Sequence, residues 1–149
     1  MAPDVSPPDT AHAPPSHPTV AQVMHPAVTT VESGAHLAAA AYLMRHRGAN
    51  ALVVTSDDEN RRPLAVITDG DITQAVADGR NLEATRIRDV SDRAIVTVGT
   101  SVTVDDAART MLLNRMQHLP VVDDGRLVGI VDMADVCRAL LPPDGAAAS

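Results

Sequence analysis

An internal duplication constrains this chain more than any other feature of its sequence. The stretch Val28-Thr-Thr-Val31 returns as Ile95-Val-Thr-Val98, and Leu37, Ala40, Ala41 and Met44 return as Val104, Ala107, Ala108 and Met111. Further on, Leu52-Val-Val54 is matched by Leu119-Pro-Val121, and Leu64-Ala-Val-Ile67 by Val128-Gly-Ile-Val131. Asp71-Ile72 with Ala75 and Val76 finally reappears as Asp135-Val136 with Ala139 and Leu140. The offset is 67 residues up to the second strand and 64 after it, because the turn Ser56–Arg62 is three residues longer than Asp123–Arg126. Insertions are tolerated in surface turns, so the break in register falls where a true repeat would place it.

Each copy spells the same order of elements. The apolar positions 37, 40, 41, 44 and 104, 107, 108, 111 follow i, i+3, i+4, i+7, one stripe on an amphipathic helix. Short β-branched runs before them read as strands. Ala51–Thr55 with Pro63–Ile67, and Leu119–Val122 with Leu127–Val131, read as hairpins, the second closed by the tight-turn pair Asp124-Gly125. Short helices over Asp69–Ala77 and Met133–Leu140 follow, and brief helical turns, Val20–Met24 and Arg86–Val90, open the two copies. The prediction is an α/β chain of two β-α-β-β-α repeats, residues 19–80 and 81–141, joined by the polar linker Asp78–Thr85. A unit of about 60 residues has little core of its own, so the two are expected to pack sheet to sheet about a pseudo-twofold axis.

Residues 1–18 hold six of the eleven prolines and few bulky apolar groups, so this segment is expected to be a disordered tail. Residues 142–149 read as a second tail. With net charge −7 and Tyr42 as the single aromatic, the chain offers neither a basic surface nor stacking platforms for nucleic acid. No apolar run approaches the roughly 18 residues of a membrane span, and no secretory signal opens the chain, so a cytoplasmic location is expected.

The duplicated segments carry a resemblance. Leu119-Pro-Val-Val122, the Asp-Gly hairpin and Gly129-Ile-Val-Asp-Met-Ala-Asp135 resemble the second half of a CBS-domain pair, and Leu52-Val-Val54 with Ala65-Val-Ile-Thr-Asp-Gly-Asp71 resemble the first half. The resemblance covers about 120 residues. It implies a noncatalytic regulatory module of small stand-alone type that binds an adenosine-containing ligand (AMP, ADP, ATP or S-adenosylmethionine) between the repeats, needs no cofactor, and forms a homodimer. The alternative is a ligand-free structural or dimerisation module that docks another protein.

The family's ribose-phosphate motif falls on Ala65-Val-Ile-Thr68-Asp-Gly-Asp71, with Ala where the family has Gly. A strand ending at Thr68 and a helix starting there would aim backbone N–H groups at a phosphate, while Asp71 would accept ribose hydroxyls. Thr-x-x-Asp is equally a capping box, and both readings stay open. In the second repeat Asp132 replaces the Thr, which disfavours a phosphate there, although Asp135 could still hold a ribose. By resemblance adenine would meet Val28, Thr29, Thr30, Ala51 and Leu52 in one repeat, and Ile95, Val96, Thr97, His118, Leu119 and Pro120 in the other. Arg45, Arg47, Arg93 and Arg115 are candidate phosphate partners between which the sequence does not choose.

No nucleophile, metal or phosphate-loop pattern of an enzyme stands out. His25, His36, His46 and His118 do not share a metal-ligand spacing, and no metal site is expected. Cys137, the single cysteine, falls on the apolar side of the last helix, where burial and inertness are expected.

Overall fold

Strand formation follows the β-branched runs. A computed structural model describes residues 18–141 apart from 27 and 92; Pro18 excepted, the two predicted tails lie outside the described residues. Strand β1 (Thr30–Glu32) pairs in parallel with β2 (Ala51–Thr55), and β2 pairs antiparallel with β3 (Pro63–Thr68). The second copy repeats this, with β4 (Val98–Gly99) parallel to β5 (His118–Asp123) and β5 antiparallel to β6 (Arg126–Asp132). Between the first and second strands of each sheet runs an 11-residue helix, α2 (Leu37–Arg47) or α4 (Val104–Asn114). A shorter one follows each hairpin, α3 (Asp69–Ala77) and α5 (Met133–Leu140). The chain therefore forms two three-stranded sheets, each with its own helices, and the sheets meet where β3 lies against β5.

The predicted helical stripes are the buried ones: Leu37, Ala40 and Met44 on α2, and Val104, Ala107 and Met111 on α4. The tight hairpin at Asp124-Gly125 has both residues at positive φ, 52° and 77°, the mirror-image turn that suits strand twist. The strand expected over Ile95–Val98 is shorter than the sequence suggests. Only Val98 and Gly99 pair with β5, at Val121 and Val122, and residues 95–97 run outside the ladder.

The opening turns exchange places. Helix α1 (Val20–Val23) precedes the first repeat, yet Val20 is fully buried in the second core with Val98, Val104, Met111, Leu119 and Val131. The 3-10 turn Ile87–Asp89, which opens the second repeat, buries Ile87 in the first core with Leu37, Leu52 and Ile67. Matching backbone bonds hold each turn: Val20 N–H to Val102 O (2.8 Å) and Val104 N–H to Pro18 O (2.9 Å) on one side, Ile87 N–H to Ala35 O (2.8 Å) and Leu37 N–H to Thr85 O (2.9 Å) on the other. Each core thus needs a segment from the opposite copy.

Candidate functional site

Where β3 ends and α3 begins, the two repeats leave a cleft of about 360 Å³. The first repeat contributes Asn50, Thr68, Asp69, Gly70 and Asp71. Facing them are Arg93, Ala94, Ile95 and Val96 from the segment before β4, Arg115 and Gln117 from the turn between α4 and β5, and His118 at the start of β5. A volume in the range of roughly 300–1,000 Å³ is what small-molecule sites usually offer. Two further surface hollows among the described residues measure about 210 and 260 Å³.

Thr68 and Asp71 form the capping box that the spacing allowed. The Thr68 hydroxyl accepts from the Asp71 N–H (3.3 Å), and Asp71 Oδ2 accepts from the Thr68 N–H (2.8 Å) and hydroxyl (3.2 Å). The Asp69 N–H is taken by Asn50 O at 3.0 Å. Of the first three amides of α3, only that of Gly70 is left by these bonds. Capping nevertheless consumes one oxygen of Asp71, and Oδ1 has no partner among the described residues. A carboxylate oxygen at a cleft mouth suits a ligand hydroxyl.

His118 spans the repeats, its Nε2 lying 3.1 Å from Asn50 Oδ1. Burial pushes the imidazole below its ordinary range, against the opposing pull of Asp132, Asp69 and Asp135. Asn50 Oδ1 can only accept, so His118 donates through Nε2, and in the neutral ring Nδ1 is left as an acceptor.

The pseudo-equivalent region of the second repeat is filled from within. Asp132 and Asp135 form a second capping box on α5 (2.8 and 3.0 Å). Asp135 is only 4% exposed, and its Oδ1 takes both His25 Nε2 at 2.9 Å and Arg138 Nη2 at 2.6 Å. Burial alone would raise the Asp135 carboxyl, but the bonds from Asp132 and His25 outweigh it and hold the group below the usual carboxylate range. His25 also makes a two-bond bridge to Ile130 (2.9 and 3.0 Å). A Cβ at Gly129 would stand 2.5 Å from Met24 Sδ, so glycine is what admits this segment onto β6. The first repeat has Ala65 there, buried in that repeat's own core.

His25, Asp132 and Asp135 converge closely enough to share a cation, a grouping that sequence spacing did not reveal because 110 residues separate His25 from Asp135. The Arg138 guanidinium already sits on the central oxygen and opposes a metal charge there.

The cleft brings together Thr68, Asp71, Ile95, Val96 and His118 of the residues singled out from the sequence. It does not include Thr97, Thr29, Thr30, Ala51 or Asp135. Leu52 and Leu119, expected near adenine, are instead fully buried core residues, because alternation along β2 and β5 turns them inward, and Pro120 is buried beside Leu119. The expectation for Cys137 is also corrected. It is exposed, since α5 packs through Val136 with Met133 and Ala139 and leaves the thiol on the outer face. Arg93 and Arg115, undistinguished among the arginines by sequence, line the cleft; Arg45 and Arg47 do not.

A family model described as CBS domain matches residues 20–78 and 87–142. The chain spans half or less of the length of the curated relatives it matches first. Hypoxic response protein 1 of Mycobacterium tuberculosis is 30% identical over 123 residues, covering 82% of this chain and 85% of that protein. A crystal structure described as hypoxic response protein I with two coordinated zinc ions superposes with a TM-score of 0.71, covering 83% of this chain and 99% of that one. The CBS-domain pair of protein MJ0100, solved with 5′-methylthioadenosine and S-adenosyl-L-methionine, is 28% identical with a TM-score of 0.74, over 82% of this chain and 94% of that one. Homoserine O-acetyltransferase of Methanococcoides burtonii is 32% identical over 126 residues, 84% of this chain but only 25% of the enzyme.

Proposed function

The chain belongs to the CBS-domain family, as a pair of interlocked repeats, and from that premise we propose that it is a noncatalytic sensor module. Its ligand is an adenosine-containing molecule, held in the cleft between Thr68–Asp71 and the 93–96 and 115–118 segments. The observation that carries this reading is the half-engaged carboxylate of Asp71 at the mouth of that cleft. One oxygen fixes the helix start, and the other accepts a ribose hydroxyl. Ile95 and Val96 supply an aliphatic wall for a base, and His118 Nδ1 is an acceptor for an exocyclic amino group. The adenosyl ligands in the MJ0100 structure support the ligand class.

Thermal unfolding of the full chain with millimolar AMP, ADP, ATP or S-adenosylmethionine tests this. A ligand at 100 times its Kd stabilises by about 2.7 kcal/mol, a shift of several degrees. Such a shift with one compound, lost in Asp71→Ala, is expected; no shift with any of them would sink the reading.

One observation favours self-association as the output. Leu112 and Leu113, at the end of α4, are 71% and 84% exposed. A homodimer covering this face is expected to dissociate in Leu113→Glu, as light scattering would report. A dimer unaffected by that change uses another surface.

A further inference from the structure

Asp71 and Asp135 hold pseudo-equivalent places, each as the third residue of a helix that opens with a capping box. In both, Oδ2 accepts the N–H of the cap residue, at 2.8 and 3.0 Å. Their other oxygens differ. Oδ1 of Asp71 has no partner among the described residues, whereas Oδ1 of Asp135 accepts from Arg138 Nη2 (2.6 Å) and His25 Nε2 (2.9 Å). The position matching Arg138 in the first repeat is Gln74, whose amide donates to Asp78 instead, at 2.9 Å.

The side chain of Asp135 is 3% exposed, and a carboxylate buried that far must have hydrogen-bond partners. The partners it has come from the surface. The side chains of His25 and Arg138 are 57% and 68% exposed, and Arg138 borders an open hollow of about 260 Å³ with Val23 and Ala139. His25 is delivered by a strap rather than by the core: its backbone pairs with Ile130, and Met24 lies over Gly129. Two donors on one oxygen are also what a pair of neighbouring ligand hydroxyls would offer it.

We propose that His25 and Arg138 form an internal plug, standing in for ligand hydroxyls on Asp135 and holding the second repeat's site latent until they are displaced. This rests on the adenosine reading of the first cleft and goes beyond it, since it gives the chain a second site that its own N-terminal strap keeps shut.

Calorimetry with adenosine on the full chain tests it. The wild type is expected to bind one adenosine, and His25→Ala combined with Arg138→Ala is expected to bind two. Second-site affinity should rise at least about ten-fold, because a site open in a minority of molecules binds more weakly by that fraction. Asp71→Ala in the double-variant background should leave one adenosine bound, and Asp71→Ala alone none. A double variant that is folded by circular dichroism and still binds only one overturns the plug and leaves the first cleft standing. Should the double variant unfold, Arg138→Ala alone keeps His25 on the buried carboxylate; it should take up a second adenosine at millimolar concentration, and a stoichiometry of one there also overturns the plug. Binding confined to the second site would sink the reading of the first cleft and uphold the plug. No binding in any form overturns both.

Discussion

Only one of the two carboxylate oxygens of Asp71 is engaged by its own helix, so structural and binding roles can be pulled apart by substitution. Thr68→Ala removes the cap and should cost about 1 kcal/mol of stability by denaturant unfolding. Asp71→Asn keeps an oxygen for the cap but weakens acceptance of ribose hydroxyls, so it should lose ligand affinity with a smaller loss of stability. His118 gives a pH signature. Its folded-state pKa lies below the ordinary value of about 6.5, so on acidification the unfolded chain takes up the proton first. Stability should therefore fall as pH drops through that value, and His118→Gln should flatten this part of the profile. Asp135 has the opposite sense: its carboxyl is held low, so its contribution is present above about pH 4 and is lost below it. The gap between wild type and Asp135→Asn should close in that acid range. At this scale a spaced motif in a duplicated frame pointed to Thr68 and Asp71, and the family resemblance to His118; all three line the cleft. The sequence could not choose Arg93 and Arg115 among the arginines, because only the fold shows which of them reach the cleft. Leu52, Leu119 and Pro120 are buried, which the sequence did not tell, because a strand residue beside a ligand wall and one facing the core share the same chemistry.

The elements themselves were legible, α3 and α5 to the residue, because their capping boxes mark the starts and apolar spacing marks the faces. Partnership between elements was not. The sequence groups α1 with the repeat it precedes, but backbone bonds and burial of Val20 assign it to the opposite core. Position 20 reads as one more valine; only the fold shows which core it fills. Ile87→Ala should cost about 2–5 kcal/mol, the usual range for truncating a fully buried isoleucine. Because Ile87 lies in the first core, hydrogen exchange should quicken most on β2 and β3 although the substitution lies in the second repeat.

Across the whole molecule, duplication gives two pseudo-equivalent clefts but leaves them unequal. In the second repeat Gly129 admits Met24 and His25, and Asp135 is closed by His25 and Arg138, whereas the capping box of the first repeat engages only one oxygen of Asp71. Titration of the full chain should give one ligand per chain, and a stoichiometry of two would show that the His25 segment yields. Among the described residues no helix is long and apolar enough to cross a membrane.

The exchanged opening turns also govern how the chain is made. Synthesis runs from the N-terminus at about 5–20 residues per second. Val20 emerges more than a hundred residues before Val131 and Val136, which share the core that receives it. For several seconds on the ribosome the segment around Val20 has no seat, and the first repeat can close only once Ile87 is out. A segment translated ahead of the first repeat is therefore buried only after the second repeat is made.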